Sequence, residues 1–194
     1  MPFIGNKPTA VPLTSADIQD GTIALADLSA TGTKDATTFL RGDNTFTSAG
    51  GTNTPSFAAT QNSAQTVSNS TWTELTNFGR EIFDTDNNFA SSRFTPTTAG
   101  KYFFYASSTL YNITSDNYIA LSKNGTSSGT SDNFHFFRSV GGSAYNIQVS
   151  GFFDMNGSSD YVSVFVYQAS GSNQDYGSTN YSSGRFTGYK LIGV

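Results

Sequence analysis

Apolar residues follow two regimes along this chain, and the change falls near residue 54. Over residues 1–54 they are thinly spaced: Phe3, Ile4, Val11, Leu13, Ile18, Ile23, Leu25, Leu28, Phe39, Leu40 and Phe46. That density is too low to close a core of its own. Such a segment orders by pairing with copies of itself or by docking on a partner. It reads as an extended stretch with little regular structure. Short helical turns are predicted at Ser15–Asp20, capped by Ser15, and at Leu25–Leu28. Gly50 to Pro55 then punctuates the chain, which gives two parts, 1–54 and 55–194.

After residue 55, short runs alternate apolar and polar positions between clusters of Gly, Asn and Ser. The spacing predicts strands at 56–60, 64–68, 71–77, 80–84, 91–95, 101–110, 117–123, 133–140, 144–154, 160–168 and 183–192. An antiparallel sandwich or barrel follows. Val162, Val164 and Val166 share one face of their strand, and Tyr161, Ser163, Phe165 and Tyr167 the other. Tyr102, Phe104 and Ala106 likewise alternate with Phe103, Tyr105 and Ser107. Aromatics on both faces are unusual, because a monomeric sandwich keeps its outer face wet. A second copy of the chain around a symmetry axis would cover them; scattered surface tyrosines are the alternative. The interface candidates are Tyr105, Tyr161, Phe165 and Tyr167, with Gly188 marking a close backbone approach near the axis.

Composition narrows the function. Charged residues are only 12%, the net charge is -4 and the pI is near 4.7. No basic patch tracks a nucleic-acid backbone. There is no cysteine, which removes disulfides, thiolate metal sites and thiol nucleophiles. No apolar run approaches a membrane span, and the first residues lack the pattern of a signal peptide. No cofactor or metal is expected. Asp84-Thr85-Asp86-Asn87-Asn88 begins like a calcium loop, but Phe89 and Thr95 stand where an EF-hand needs glycine and glutamate. A polar turn is the default reading there, with a looser oxygen-ligand site as the alternative. His135, the one histidine, lies among aromatics with no nucleophile in view, and reads as structural. Glutamate occurs only at Glu74 and Glu81, so the paired carboxyls of a glycosidase are not apparent. The chain reads as a non-enzyme. Arg41-Gly42-Asp43 is the integrin-binding tripeptide on paper, and reads as a turn with the aspartate satisfying local amides.

Ordered blocks in the second part carry a resemblance. They are Phe57-Ala58-Ala59; Phe94-Thr95-Pro96 with Ala99-Gly100-Lys101-Tyr102-Phe103-Phe104; Leu121-Ser122-Lys123-Asn124-Gly125; Asp160-Tyr161-Val162-Ser163-Val164; and Ser183-Gly184-Arg185-Phe186-Thr187-Gly188-Tyr189-Lys190-Leu191. In this order they resemble the globular head of the complement-1q family, the trimeric jelly roll shared with tumour-necrosis-factor-like ligands. Ser159 and Ser163 depart from that family's glycine and tryptophan. The resemblance implies an all-β, antiparallel jelly-roll sandwich and a homotrimer. With eight main strands, it puts the connections 110–117, 140–144 and 168–183 at one tip. The candidate receptor-binding residues there are Tyr111, Asn112, Asp116, Asn173, Gln174, Asp175, Tyr176, Asn180 and Tyr181. The stretch from Ala169 to Gly184 mixes tyrosine with Ser, Gly, Asn and Gln, as binding loops do; a loose glycine-serine loop is the alternative.

The first part resembles another family. Thr38-Phe39-Leu40-Arg41-Gly42-Asp43-Asn44-Thr45-Phe46 is similar to the "T-F-L-R-G-D-G-T-W" segment of bacteriophage tail and fibre proteins, and Ala16-Asp17-Ile18-Gln19-Asp20-Gly21-Thr22-Ile23 with Ala26-Asp27-Leu28 is similar to their shaft text. This implies a virion protein: a short trimeric tail fibre or fibre tip that binds the host surface, or a capsid decoration protein or head fibre with little receptor role. Residues 1–20, with Phe3, Ile4, Val11 and Leu13, would anchor it to a tail, baseplate or capsid protein. The head would meet a host surface glycan or protein.

Overall fold

Period-two alternation is at its cleanest in the longest pair of strands. In the computed structural model these are β9, Gly100–Lys123, and β10, Phe134–Met155. The structure describes residues 24, 29–48, 53–125, 133–177 and 184–192, with backbone only at 111–114 and 140–145. β9 and β10 pair antiparallel from Phe134 opposite Ser122 to Met155 opposite Gly100, with one irregularity between Val140 and Gly142. The first half of β9 pairs with β13, Gly184–Lys190, and the second half with β11, Val162–Gln168. One continuous ribbon therefore serves two layers. β13 continues to β3, Ser56–Thr60, and β6, Arg80–Asp84, in the first layer. β11 continues to β8, Arg93–Phe94, and β7, Phe89–Ala90, in the second. Short pieces close the edges: β4, Gln65–Val67, on β12, Gln174–Tyr176, and β5, Thr73–Glu74, on β11.

Alternate residues point inward, and on β9 the inward set changes from even positions in its first half to odd positions in its second. Tyr102, Phe104, Phe57 and Phe186 of the first layer meet Phe94, Ile119, Leu121, Val162, Val164 and Val166 of the second, all fully buried. Phe57 stacks on Phe94 across the layers at 4.4 Å and meets Phe186 edge-on at 4.8 Å. Burial of each such side chain stabilises the fold by roughly 1.5–3 kcal/mol. Tyr102 keeps its hydroxyl satisfied by donating to the Thr98 carbonyl at 2.7 Å, and burial pushes its pKa up to about 12. The domain is an all-β antiparallel jelly-roll sandwich, and no helix occurs among the described residues.

Three expectations change. Segments 110–117 and 140–144 are not separate connections, because the β9–β10 ribbon runs through both, with its irregularity between Val140 and Gly142. The strand expected at 91–95 shrinks to β8, because Ser91 and Ser92, with φ angles of 51° and 61°, make the turn between β7 and β8. That turn lets the Ser92 hydroxyl accept from the buried Phe78 amide at 3.1 Å. The strand expected at 71–77 shrinks to β5. Gly188 lies within the sheet, and a Cβ there would stand 2.5 Å from the Phe104 ring. The close approach is to a core aromatic of the same chain.

By contact the chain forms two units, Met1–Gly51 and Thr52–Val194. In the first, β1, Thr38–Leu40, pairs with β2, Phe46–Ser48, as a hairpin. The helical turns expected at Ser15–Asp20 and Leu25–Leu28 lie outside the described residues.

Candidate functional site

The hairpin tip carries Arg41-Gly42-Asp43. Asp43 accepts from the Thr45 amide and hydroxyl at 3.2 and 2.6 Å, the Asx-turn role its position suggests. The Thr45 hydroxyl is the main reason its carboxyl sits below the usual range. The tripeptide is thus the body of a turn. In the Asp84 turn, the Asp84 carboxylate accepts from the Phe89 amide at 2.6 Å, and the Asn88 side-chain oxygen accepts from the Thr97 amide at 2.8 Å. His135 packs edge-on to Phe153 at 4.8 Å, with Nε2 3.2 Å from the Phe152 carbonyl. These groups serve local structure. Among the described residues no three His, Asp or Glu side chains converge as metal ligands.

One end of the sandwich gathers the segments around 109–117 and 168–177. The Ala169 amide donates to the Asp116 carbonyl at 3.0 Å, and the Gly177 amide to the Thr109 carbonyl at 2.9 Å. Pro55 lies at the opposite end, where its carbonyl accepts from the Lys190 amide. Segment 168–177 is not a loose loop. Buried Gln168 donates to the carbonyls of Val67 and Ser172, and accepts from the amide and hydroxyl of Ser170. β12 then pairs with β4, and Asp175 accepts from the Thr66 hydroxyl at 2.7 Å.

Several predicted site residues move. Tyr176 is 0% exposed, with its ring in the core and its hydroxyl donating to the Tyr167 carbonyl, so it cannot be a contact residue. Asn173 and Asp175 are exposed and Gln174 half-buried at this end. The side chains of Tyr111 and Asn112, and all of Asn180 and Tyr181, lie outside the described residues, as do Phe3, Ile4, Val11 and Leu13. Phe165 is only 8% exposed because its own chain covers it: it clusters with Ala120 and Phe134 under Trp72. Tyr161 carries the Arg93 guanidinium over its ring at 4.5 Å. Arg93 in turn forks onto Glu74 at 2.8 and 2.7 Å.

Tyr167 belongs to a group that the sequence reading did not assemble. Tyr167, Tyr118 and Arg138 stand directly opposite one another on β11, β9 and β10. Trp72 closes the group at 5.5 Å from Tyr167 and 5.8 Å from Tyr118. The Nη2 of Arg138 donates to both carboxylate oxygens of Asp116 at 2.7 and 2.8 Å, and this hydrogen-bonded ion pair raises its pKa. Trp72, Asp116, Tyr118, Tyr167 and Ala169 line an open hollow of about 340 Å³. The available signals were the single tryptophan just before a strand and the parity shared by Asp116 and Tyr118.

The outer face of the other layer is different in kind. Tyr189, Phe103 and Phe152 form one rung across β13, β9 and β10, with ring spacings of 5.6 and 5.3 Å. Tyr105 extends the same face and donates to Gln148 at 2.8 Å. Phe152 is 60% exposed, and Tyr189 and Phe83 are also exposed. Phe136 and Phe137 stand exposed on β10 near Tyr105, Gln148 and Val149.

This two-layer jelly roll is shared with solved structures. Murine APRIL superposes with a TM-score of 0.52 at 14% identity, over 70% of this chain and 98% of that one. The globular domain of zebrafish complement 1qA gives a TM-score of 0.49 at 16% identity, over 71% of this chain and 97% of that one. Eiger TNF from S. frugiperda gives 0.49 at 8%, over 70% and 91%. No protein-family model and no curated protein matches the chain in sequence. At these identities the likeness is one of fold.

Proposed function

We propose that this protein is a non-enzymatic, homotrimeric attachment head carried on a short bacteriophage fibre. The observation that carries it is the exposed rung Tyr189–Phe103–Phe152 with Tyr105 beside it. A contiguous apolar face on a small soluble domain signals a protein partner. Phe136 and Phe137 on β10 add exposed apolar surface beside Tyr105. Copies of the chain that repeat one contact around an axis close into a ring. The phage assignment rests on the resemblance of Thr38–Phe46 to fibre text, and residues 1–20 are the proposed anchor to the particle. The head meets its target through the end that holds Asp116, Asn173, Gln174 and Asp175.

Sedimentation of the full chain tests assembly: three chains are expected at micromolar concentration, and a monomer there overturns the ring. Adsorption competition tests attachment. Purified protein should block particle adsorption; full adsorption at saturating trimer favours a decoration role on the capsid instead.

A further inference from the structure

Trp72, Tyr118 and Tyr167 form a connected aromatic floor. The Tyr118–Tyr167 centroids are 5.7 Å apart, and the three ring planes are inclined by 47° to 77°. Trp72 is held edge-on by Phe134 at 5.0 Å, which fixes the indole. Rings at these spacings already touch one another. No trimethylammonium group fits between them, so this is a platform and not a cage for a cation. The charges at the rim point the same way. Asp116 and Arg138 neutralise each other through two contacts, so neither a cation nor an anion meets an unbalanced charge. What the pair still offers is directional bonding. A carboxylate has about four acceptor sites and a guanidinium five donors, more than their mutual bonds consume. The hollow, at about 340 Å³, is large enough for a small ligand.

A ligand that matches needs an apolar face for the rings, no net charge, and edge groups that both donate and accept hydrogen bonds. We propose that this hollow binds a neutral hexopyranose unit of a surface glycan. The C–H face of the sugar lies on Trp72 and the tyrosines, and its hydroxyls bond to Asp116 and Arg138. The inference rests on the attachment reading and names its ligand class. A single small sugar of about a dozen heavy atoms binds such an open site only at millimolar strength, and three copies on one fibre supply avidity.

Trp72 is the only tryptophan of the chain, so its emission reports the site. The full-length protein is titrated with the methyl glycosides of glucose, galactose and N-acetylglucosamine, with choline and glucuronate as charged probes. At least one neutral glycoside is expected to shift the emission with millimolar half-saturation. Tyr167→Ala and Asp116→Asn should each weaken that response about tenfold or more, with circular dichroism and melting unchanged from wild type for the exposed Asp116 variant. Silence with all neutral glycosides, a response to choline or glucuronate instead, or a wild-type response in Asp116→Asn overturns the inference. Binding of labelled protein to a panel of bacterial surfaces separates the two readings. Surface binding that survives both substitutions, with no glycoside response, sinks the sugar site and leaves attachment standing. A glycoside response with no surface binding does the reverse.

Discussion

Phe152→Asp is the sharpest perturbation of the proposed ring. Phe152 is 60% exposed in the single chain. An aromatic side chain offers about 150–250 Å², so about 120 Å² of Phe152 remains to be covered. At about 25 cal/mol per Å² its burial contributes roughly 3 kcal/mol per subunit contact. Three contacts close a ring, so the assembly loses about 9 kcal/mol before any charge penalty. A single contact weakened by about 3 kcal/mol dissociates more than a hundredfold more readily. Fold stability should change little, because the side chain points away from the core. Sedimentation equilibrium over a dilution series is the assay. The variant should run as a folded monomer where the wild type runs as three chains. Tyr118→Ala, on the outer face of the other layer, is the control and should leave the mass unchanged. A Phe152→Asp protein with wild-type mass at every dilution refutes the argument that this rung is the interface.

Tyr176→Ala should destabilise the domain by about 3–5 kcal/mol, lowering the melting temperature markedly at fixed protein concentration, whereas Tyr176→Phe loses only one hydrogen bond and about 1 kcal/mol. A melting temperature indifferent to Tyr176→Ala would return that residue to the surface. Gly188→Val drives a side chain into Phe104 and should cost about 1–3 kcal/mol in chemical denaturation. Asp160 accepts from Asn124 and Asn156 and pairs with Lys123 at 2.8 Å. Burial is the largest single influence and opposes ionisation, but these bonds together outweigh it, so its pKa is lowered from 3.8. A lowered folded pKa means that its stabilisation is full above the unfolded value and is lost as pH falls through the folded one. Asp160→Asn should therefore flatten the dependence of melting temperature on pH below about 4; an unaltered acid limb would show that the group contributes nothing.

The legible parts of this fold were those set by local period. Val162, Val164 and Val166 went inward as their alternation required. Asn124 and Gly125, at φ of 57° and 72°, make the turn that their identities announce. What failed depended on neighbours distant in sequence. Phe165 has the same pattern as an interface residue, but Trp72 packs over it. Tyr176 sits in a stretch of binding-loop composition, yet pairing with Gln65 turns its ring into the core. Gln168 ordering its own loop has no signature in periodicity, since its partners span residues 67 to 172.

The two aromatic faces are suited to different work, and their charges say which. The core of a protein interface is depleted of charge, with polar groups at its rim. The rung Tyr189–Phe103–Phe152 fits that description: it holds no ionisable carboxylate or cation, and the Lys101–Asp154 pair lies on the adjoining rung at 2.8 Å. The opposite face interleaves its rings with fixed ion pairs, Arg138 on Asp116 and Arg93 on Glu74. Covering those pairs with a second chain would cost desolvation that their mutual attraction need not return. A small ligand that only touches the rim leaves them wet. Assembly therefore belongs on the layer of β3, β13 and the first half of β9, and recognition on the layer of β11 and the second half. A ring closed on the first layer leaves the Trp72 hollow of every copy open, and this is the arrangement that lets weak sites add.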